Sequence, residues 1–336
     1  MIMSSNFNTI KPVDQLNKVL ADLGSLFDEF EGKKPQKIEI ECPFCGHGQS
    51  TASFAYKSCT YRTCDQCQSL YLSPRITQQW LGQYYAFMQE RFCFDIPQSQ
   101  RQARINTIMK PRWDLLKKKL EPYIKSFPVK RCMEVGAGVG YFTEVAQQNN
   151  CAQEYLLVEP DRNCHQHLKG LKGNTVLLGC LLEECKEEEH GNVDLIFINS
   201  VIEHPFSLNA FFKKLHSLLS EDGIIVLVDM HSEGLDIEVL RQHAPNIYPH
   251  SILQIGSIKG IETICLNHGL LVKEVCSIGT MDVDILFEHA KQLPQDHPLK
   301  GFEKILHKKE VRSDLQEVLA KHLLTGYNAY LIQKGK

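Results

Sequence analysis

Several things are scarce or missing in this chain of 336 residues. No apolar run is long enough to cross a bilayer. The longest, such as Ile224–Val228 and Leu195–Ile198, have the length of strands. The first ten residues show no basic stretch followed by an apolar core, so no secretory leader is expected there. Charge of one sign is not in excess: Lys+Arg 37 against Asp+Glu 40 leaves a formal net charge of −3. That balance gives no general attraction to nucleic acid or to an anionic membrane. No internal repeat and no long Pro-rich or Gly/Ser-rich linker interrupts the chain. Hydrophobic residues at 43% and charged residues at 23% exclude a collagenous, low-complexity or disordered chain. The length suits two to three domains.

Cysteine, by contrast, is plentiful, at 13. An odd number spread over a long chain is a poor disulfide framework. The absences above point to a soluble protein of a reducing, cytoplasmic compartment, where cysteine serves as metal ligand or plain thiol.

The N-terminal part, residues 1–37, reads as a helix. Val13, Leu16, Leu20, Leu23, Phe27 and Phe30 recur at spacings of three and four, and Pro12 suits the start. Residues 38–75 read as a zinc ribbon. Cys42-Pro43-Phe44-Cys45 and Cys64-Asp65-Gln66-Cys67 are separated by 18 residues. Each C-x2-C turn aims two thiolates at one point, and two such turns complete a tetrahedron around Zn²⁺. Gly46 follows the first pair, where the turn needs a positive φ. Four protein ligands leave no open position, so the metal is expected to be structural and to stand in for a core. A thioredoxin-like redox pair is the weaker alternative, since no βαβ pattern surrounds either pair. Residues 76–127 read as a helical linker region. Ser69–Arg75 before it is expected to be a strand ending at Pro74, followed by helices over Thr77–Phe92 and about Ser99–Phe127. The aromatics of the first helix, among them Trp80, Tyr84 and Tyr85, suit a core or a pocket lining.

Residues 128–336 carry the chemistry. A short apolar strand, Arg131–Val135, runs into Gly136-Ala137-Gly138-Val139-Gly140 and then a helix start. Strand, glycine turn and helix form the first unit of a doubly wound sheet. A dinucleotide fingerprint is G-x-G-x-x-G, with a helix end facing a pyrophosphate. Here the spacing is G-x-G-x-G, and Glu134 precedes the first glycine by two residues. A carboxylate there repels a pyrophosphate and suits a cationic ligand with an amino group, such as S-adenosylmethionine. The second strand, Tyr155–Val158, ends in Glu159, about twenty residues past the glycines, where such folds place a ribose-hydroxyl acceptor. A third strand, Thr175–Leu178, leads to Gly179-Cys180-Leu181. A fourth, Val193–Ile198, runs into Asn199-Ser200-Val201-Ile202-Glu203-His204, and a fifth, Ile224–Val228, delivers Asp229-Met230-His231. The C-terminal ends of such strands form the ligand edge.

On these residues the chain resembles a class I S-adenosylmethionine-dependent methyltransferase. The matching elements are Glu134-x-Gly136-x-Gly138-x-Gly140, Val158-Glu159-Pro160, Asp194-Leu195-Ile196, Val201-Ile202-Glu203-His204 and Leu218–Gly223 with its strand. The order of modules is similar to zinc-ribbon methyltransferases associated with sugar or surface-polysaccharide biosynthesis, with Pro74-Arg75, Tyr84-Tyr85 and Pro249-His250 in the matching places. The chain departs from that family in having Asp229-Met230-His231 where a Pro-Asn pair is common. The resemblance implies an α/β, doubly wound, Rossmann-like sheet of seven strands with the last one antiparallel, beside the N-terminal zinc ribbon. Strand six then falls at Leu270–Val275 and the last strand at Tyr327–Gln333. Residues 281–325 between them form an insertion with a helix near Ser313–Leu324.

The same resemblance implies the site. Gly136, Gly138 and Gly140 approach the methionine end of S-adenosylmethionine, supported by Glu134. Glu159 accepts the ribose hydroxyls, Cys180 and Leu181 border the adenine, and Asn199 and Ser200 line the cofactor. The acceptor is then a small molecule, a sugar or polysaccharide precursor. An acceptor that must lose a proton needs a base, for which His204 and His231, and after them His250, are the candidates. A capping or surface histidine is the plain alternative for each. Two other functions stay open: RNA methylation, against which the near-neutral charge argues, and a non-catalytic S-adenosylmethionine-binding scaffold.

Overall fold

The computed structural model describes residues 13–91 and 98–335. Thirteen strands fall among them: β1 (Lys37–Ile38), β2 (Ser50–Tyr56), β3 (Cys59–Cys64), β4 (Leu70–Leu72), β5 (Arg75–Ile76), β6 (Val129–Val135), β7 (Ala152–Val158), β8 (Thr175–Leu178), β9 (Val193–Asn199), β10 (Leu219–Met230), β11 (Gln254–Ile255), β12 (Leu270–Ser277) and β13 (Tyr327–Lys334). Seven of them form one sheet in the order β12-β13-β10-β9-β6-β7-β8. β10, β9, β6, β7 and β8 are parallel, and β13 runs antiparallel between β10 and β12. This is the expected doubly wound α/β sheet with its last strand antiparallel.

The sequence explains the layering. β9 buries Leu195, Ile196, Phe197 and Ile198, a run apolar on both faces, as a strand covered on both sides must be. One face is covered by the helices Leu208–Leu218 and Ile258–Asn267, the other by the helices Lys110–Leu120 and Tyr141–Gln148. The helix Leu208–Leu218 shows how local signals set an element. Ser207 caps it by accepting the Ala210 N–H at 3.2 Å, and Leu208, Phe211, Phe212, Leu215 and Leu218 recur on its buried face.

A second core links the N-terminal segments to the insertion. Phe27 and Phe30 of the helix Val13–Glu31 lie in one apolar cluster with Tyr61, Leu81, Tyr84 and Phe87, and with Val283 and Leu286 of the insertion. The insertion itself folds as helices Asp282–Gln292, Gly301–Ile305 and Lys309–Lys321. Pro12 and Phe92, expected at helix ends, lie outside the described residues.

Several boundaries differ from expectation. The segment around Pro74 gives two short strands, β4 and β5, because proline supplies no ladder N–H. The helix expected to reach Phe127 stops at Leu120, ahead of Pro122 and Pro128. The last insertion helix ends at Lys321, and Leu323 just beyond it has a φ of 59°.

The four-stranded sheet β11-β4-β3-β2 joins the cysteine module to the large sheet. β11 comes from the C-terminal half and pairs with β4, Gln254 opposite Tyr71 and Ile255 opposite Leu70. Tyr61 Oη donates to the Ile252 carbonyl at 2.7 Å, and Leu72 N to the Leu253 carbonyl at 2.8 Å. Ser257 pins the joint. Its hydroxyl accepts the Gly260 N–H at 2.9 Å, capping the helix that follows, and donates to the Cys67 carbonyl. Ser257→Ala removes the cap and leaves that buried carbonyl unpaired. We expect a loss of about 1–3 kcal/mol, read as a lower denaturant midpoint. An unchanged midpoint would show that the joint does not depend on this hydroxyl.

Candidate cofactor edge and metal centre

The paired cysteines converge. Cys42 Sγ lies 3.5 Å from Cys67 Sγ, Cys45 Sγ lies 3.6 Å from Cys64 Sγ, and all four sulfurs fall within 4.8 Å of one another. A tetrahedron of thiolates about 2.3 Å from Zn²⁺ has edges of about 3.8 Å, close to the separations of these two pairs. Both turns are built alike. Gly46 N donates to the Cys42 carbonyl at 2.8 Å and Gln68 N to the Cys64 carbonyl at 3.0 Å. The two turning residues have φ of 73° and 63°, so Gly46 has the expected positive φ and Gln68 matches it. Cys59 belongs elsewhere, beside Lys37 Nζ at 3.9 Å. The cluster is compatible with zinc. The prediction is one zinc per chain by metal analysis, and a lower melting temperature on chelation or in Cys67→Ser. A folded protein with no bound metal would remove the assignment.

At the C-terminal ends of the parallel strands, carboxylates hold the loops. Glu134, near the end of β6, accepts the Thr143 N–H at 3.1 Å and the Thr143 hydroxyl, so it clamps the helix Tyr141–Gln148 to its strand. Glu159, just past β7, accepts Gly138 N at 2.7 Å and Asp161 N at 2.8 Å. Glycine is required twice in the loop between. A Cβ at Gly136 would lie 2.5 Å from Val201 Cγ2, and Gly140, with φ of 81°, would put one 2.8 Å from Leu171. Gly138 differs: nothing lies within 4 Å of a Cβ built there. That open side, beside an acid that already binds the loop, suits a cofactor laid against the backbone. Cys180 is half-buried and Leu181 is exposed in the loop after β8.

After β9, Asn199 Oδ1 accepts from Arg112 Nη1 at 3.1 Å, and Ser200 is held at φ 56° with its N–H on the Val228 carbonyl. Asp229, buried at the end of β10, receives Val201 N and Ile202 N at 3.1 Å on one oxygen and Met230 N at 2.7 Å on the other. The loop thus fixed carries Glu203 and His204. Glu203 is buried, its Oε2 has no hydrogen-bond partner, and burial pushes its carboxyl up to about 7. His204 donates from Nδ1 to the Ser251 carbonyl at 2.7 Å, which leaves Nε2 as the free ring nitrogen, 3.9 Å from Glu203 Oε1. Its ring is half-exposed, and burial by the neighbouring elements pulls its pKa below the ordinary value.

The chain therefore brings together, along one sheet edge, Glu134, Gly136, Gly138, Gly140, Glu159, Cys180, Leu181, Asn199, Ser200 and His204. It does not bring His231 or His250 to that open space. His231 is 1% exposed, with its backbone on Gly326 and its neighbour Ser232 bonded to the Gln68 carbonyl of the second cysteine turn. His250 is fully buried, stacked on Phe27 with ring centroids 5.2 Å apart and bonded to Glu31 Oε1 at 2.9 Å. Both lie under the joint with the cysteine module, whose partners are distant in sequence and invisible to a strand-end argument. The converse holds for residues the sequence reading did not select. Glu203 and Asp229 stood inside or beside quoted motifs, where an acid ending an apolar run was the available signal. Arg112 and Tyr327 carried none.

Burial pushes the Glu134 carboxyl up to about 8 from an ordinary 4.5. The folded state then binds the proton more tightly than the unfolded one, so the stability this group lends is complete below pH about 4.5 and lost as pH rises through about 8. His231, held down to about 4 by burial, acts oppositely, its share being lost as pH falls below about 6.5. Between pH 6.5 and 8 Glu134 and Glu203, the latter raised to about 7, both lose their share, and Glu134 is the later of the two to titrate. Glu134→Gln should flatten the fall in melting temperature across that window, and parallel wild-type and variant curves would refute this.

The family described as "Methyltransferase domain" matches residues 101–275, just over half of the 336 residues. No curated protein matches the chain. Solved structures with a similar fold include mycolic acid cyclopropane synthase CmaA1 complexed with SAH and CTAB, at 17% identity, covering 68% of this chain and 87% of that one, TM-score 0.44. The cyclopropane synthase MmaA2 of Mycobacterium tuberculosis is 15% identical, with 66% and 84% covered and a TM-score of 0.42. Phosphoethanolamine N-methyltransferase 2 of Haemonchus contortus, in complex with S-adenosyl-L-methionine, is 15% identical, with 67% and 53% covered and a TM-score of 0.43.

Proposed function

The chain belongs to the methyltransferase-domain family, and from that premise we propose that it methylates a polar small molecule, a sugar or surface-polysaccharide precursor. The domain is of the class I, S-adenosylmethionine-dependent kind. The observation that carries the acceptor reading is the half-buried polar rim beyond the glycine loop: Arg112, Asn199, Ser200, His204 and Tyr327, backed by Glu203. Such a rim suits hydroxyls and charged groups and suits a hydrocarbon poorly. The order of cysteine module, Tyr-Tyr helix and sheet supports the sugar class.

The bound cofactor supplies a methyl group made electrophilic by its sulfonium, so the protein's work is alignment, exclusion of water and removal of a proton. Glu159 holds the ribose hydroxyls while keeping Gly138 in place. Gly138 leaves room for the cofactor against the loop, and Glu134 keeps the helix behind it in register. Cys180 and Leu181 flank the adenine, and Asn199 and Ser200 bound the reacting end. His204 would accept the acceptor's proton at Nε2, the ring nitrogen left free by the Ser251 carbonyl, with the methyl group supplied by the cofactor when bound. Its depressed pKa keeps that nitrogen unprotonated at neutral pH. The four cysteines hold structural zinc, away from this chemistry.

Two measurements test the reading. In calorimetric titration with S-adenosylmethionine, Glu159→Ala should weaken binding about tenfold to hundredfold, the worth of a charge-assisted hydrogen bond. Undiminished binding would sink the cofactor assignment. In a methyl-transfer screen over nucleotide sugars and polysaccharide precursors, His204→Gln should retain cofactor binding and lose about 10²–10⁴-fold in rate. The wild-type acid limb should fall below the ordinary histidine range. A variant with full rate removes His204 as the base. Tight cofactor binding with no transfer to any acceptor favours the non-catalytic scaffold.

A further inference from the structure

Arg112 is set apart by its place, against Asn199 and Tyr327 at the sheet edge. Several other arginines are matched to acids: Arg101 to Glu144 at 2.6 Å, Arg131 to Glu154 at 2.7 Å, Arg312 to Asp284 at 2.6 Å. Arg62, half-buried and without an acid, is taken up by the Ser50 hydroxyl at 2.8 Å and the Ser50 carbonyl at 2.9 Å. Arg75 has no acid, but it is 5% exposed, with donors on Gln254 Oε1 at 3.0 Å and the Phe206 carbonyl at 2.6 Å. Arg112 is half-buried and has no ion-pair partner among the described residues. Its hydrogen bond is to the neutral Asn199 Oδ1, and its guanidinium carbon lies 5.5 Å from the centre of the Tyr327 ring. The carboxylic acid that acts on it is Asp282, whose own oxygens are taken by Gly326 N and Gln316 Nε2, both at 2.6 Å. Burial disfavours the charge of Arg112.

A guanidinium withdrawn from water with no counter-ion is costly, and a fixed fork with free donors is the shape that binds an oxyanion through two parallel bonds. The place matters as much. Asn199 begins the loop that carries Ser200, Glu203 and His204, and Tyr327 opens β13 beside the end of β10. Arg112 therefore borders the space in which the acceptor is to lie. Resting on the methyltransferase reading above, we infer that Arg112 recognises a phosphate or carboxylate group carried by the acceptor. The cofactor's own carboxylate is the other source of that chemistry. It belongs by the glycine loop, where the arginine at hand is Arg101, already committed to Glu144 and to the Val139 carbonyl at 2.8 Å.

The test uses the full chain loaded with S-adenosylhomocysteine, titrated separately with inorganic phosphate and with acetate by calorimetry. One of these anions should bind the wild type. Arg112→Gln should weaken that binding by about tenfold or more, and Arg112→Lys, which keeps the charge but not the fork, by less. S-adenosylmethionine binding by Arg112→Gln should stay within about twofold of wild type. If the wild type binds neither anion, or Arg112→Gln binds both unchanged, the inference is overturned. It is also overturned if the loss falls on S-adenosylmethionine while its decarboxylated form binds wild type and variant equally, since the anion is then the cofactor's carboxylate. Failure of the underlying reading is distinct: it appears as undiminished cofactor binding in Glu159→Ala. Arg112→Lys keeps the test open should the neutral variant fold poorly.

Discussion

Backbone N–H groups at the ends of buried parallel strands lose their ladder partners where the strands stop, and they must be satisfied without water. In this molecule three carboxylates do that work. Glu134 takes the N–H of Thr143, Glu159 those of Gly138 and Asp161, and Asp229 those of Val201, Ile202 and Met230. Each acid comes from one strand and binds a loop or helix start that follows it or a neighbouring strand. The edge is thereby a platform in which loop positions are fixed by hydrogen bonds to buried acid side chains. The loop that carries Ser200 and His204 is held from Val201 and Ile202 by Asp229.

Much of this was legible in the sequence because it depended on neighbours along the chain. The glycine spacing, the acids at strand ends and the apolar run of β9 are local signals, and the sheet order follows from connecting them in the usual hand. The four cysteines were legible for the same reason, since each knuckle is a turn of four residues. What was not legible depends on contacts across long separations. His250 looks like any histidine after a proline until Phe27 and Glu31, more than 200 residues earlier, are seen to enclose it. Arg112 sits in a helix with four lysines and reveals itself only when Asn199 is found against it.

The cysteine module and the large sheet are parts of one assembly. β11 supplies an edge to β4, Ser257 bonds back to Cys67, and the cysteine sulfurs share an apolar cluster with Phe211, Ile261 and Cys265. A metal held by the four thiolates would therefore stiffen more than its own loops. The cysteine module holds the segment Ile252–Ser257, which is continuous with Ser251, the residue whose carbonyl orients His204. A path of covalent and hydrogen bonds runs from the cysteines to the candidate base.

The pairing of β11 with β4 also sets an order of events during synthesis. The first 76 residues include both cysteine pairs and three of the four strands of the small sheet, yet the fourth strand is encoded at residues 254–255. Until the chain has grown past Ser257, β4 presents an open edge and Cys67 an unpaired carbonyl. Contacts of such long sequence separation form late and slowly. For most of its elongation the nascent chain must keep an uncapped β-edge from pairing elsewhere, a burden that falls on whatever shields an emerging sheet.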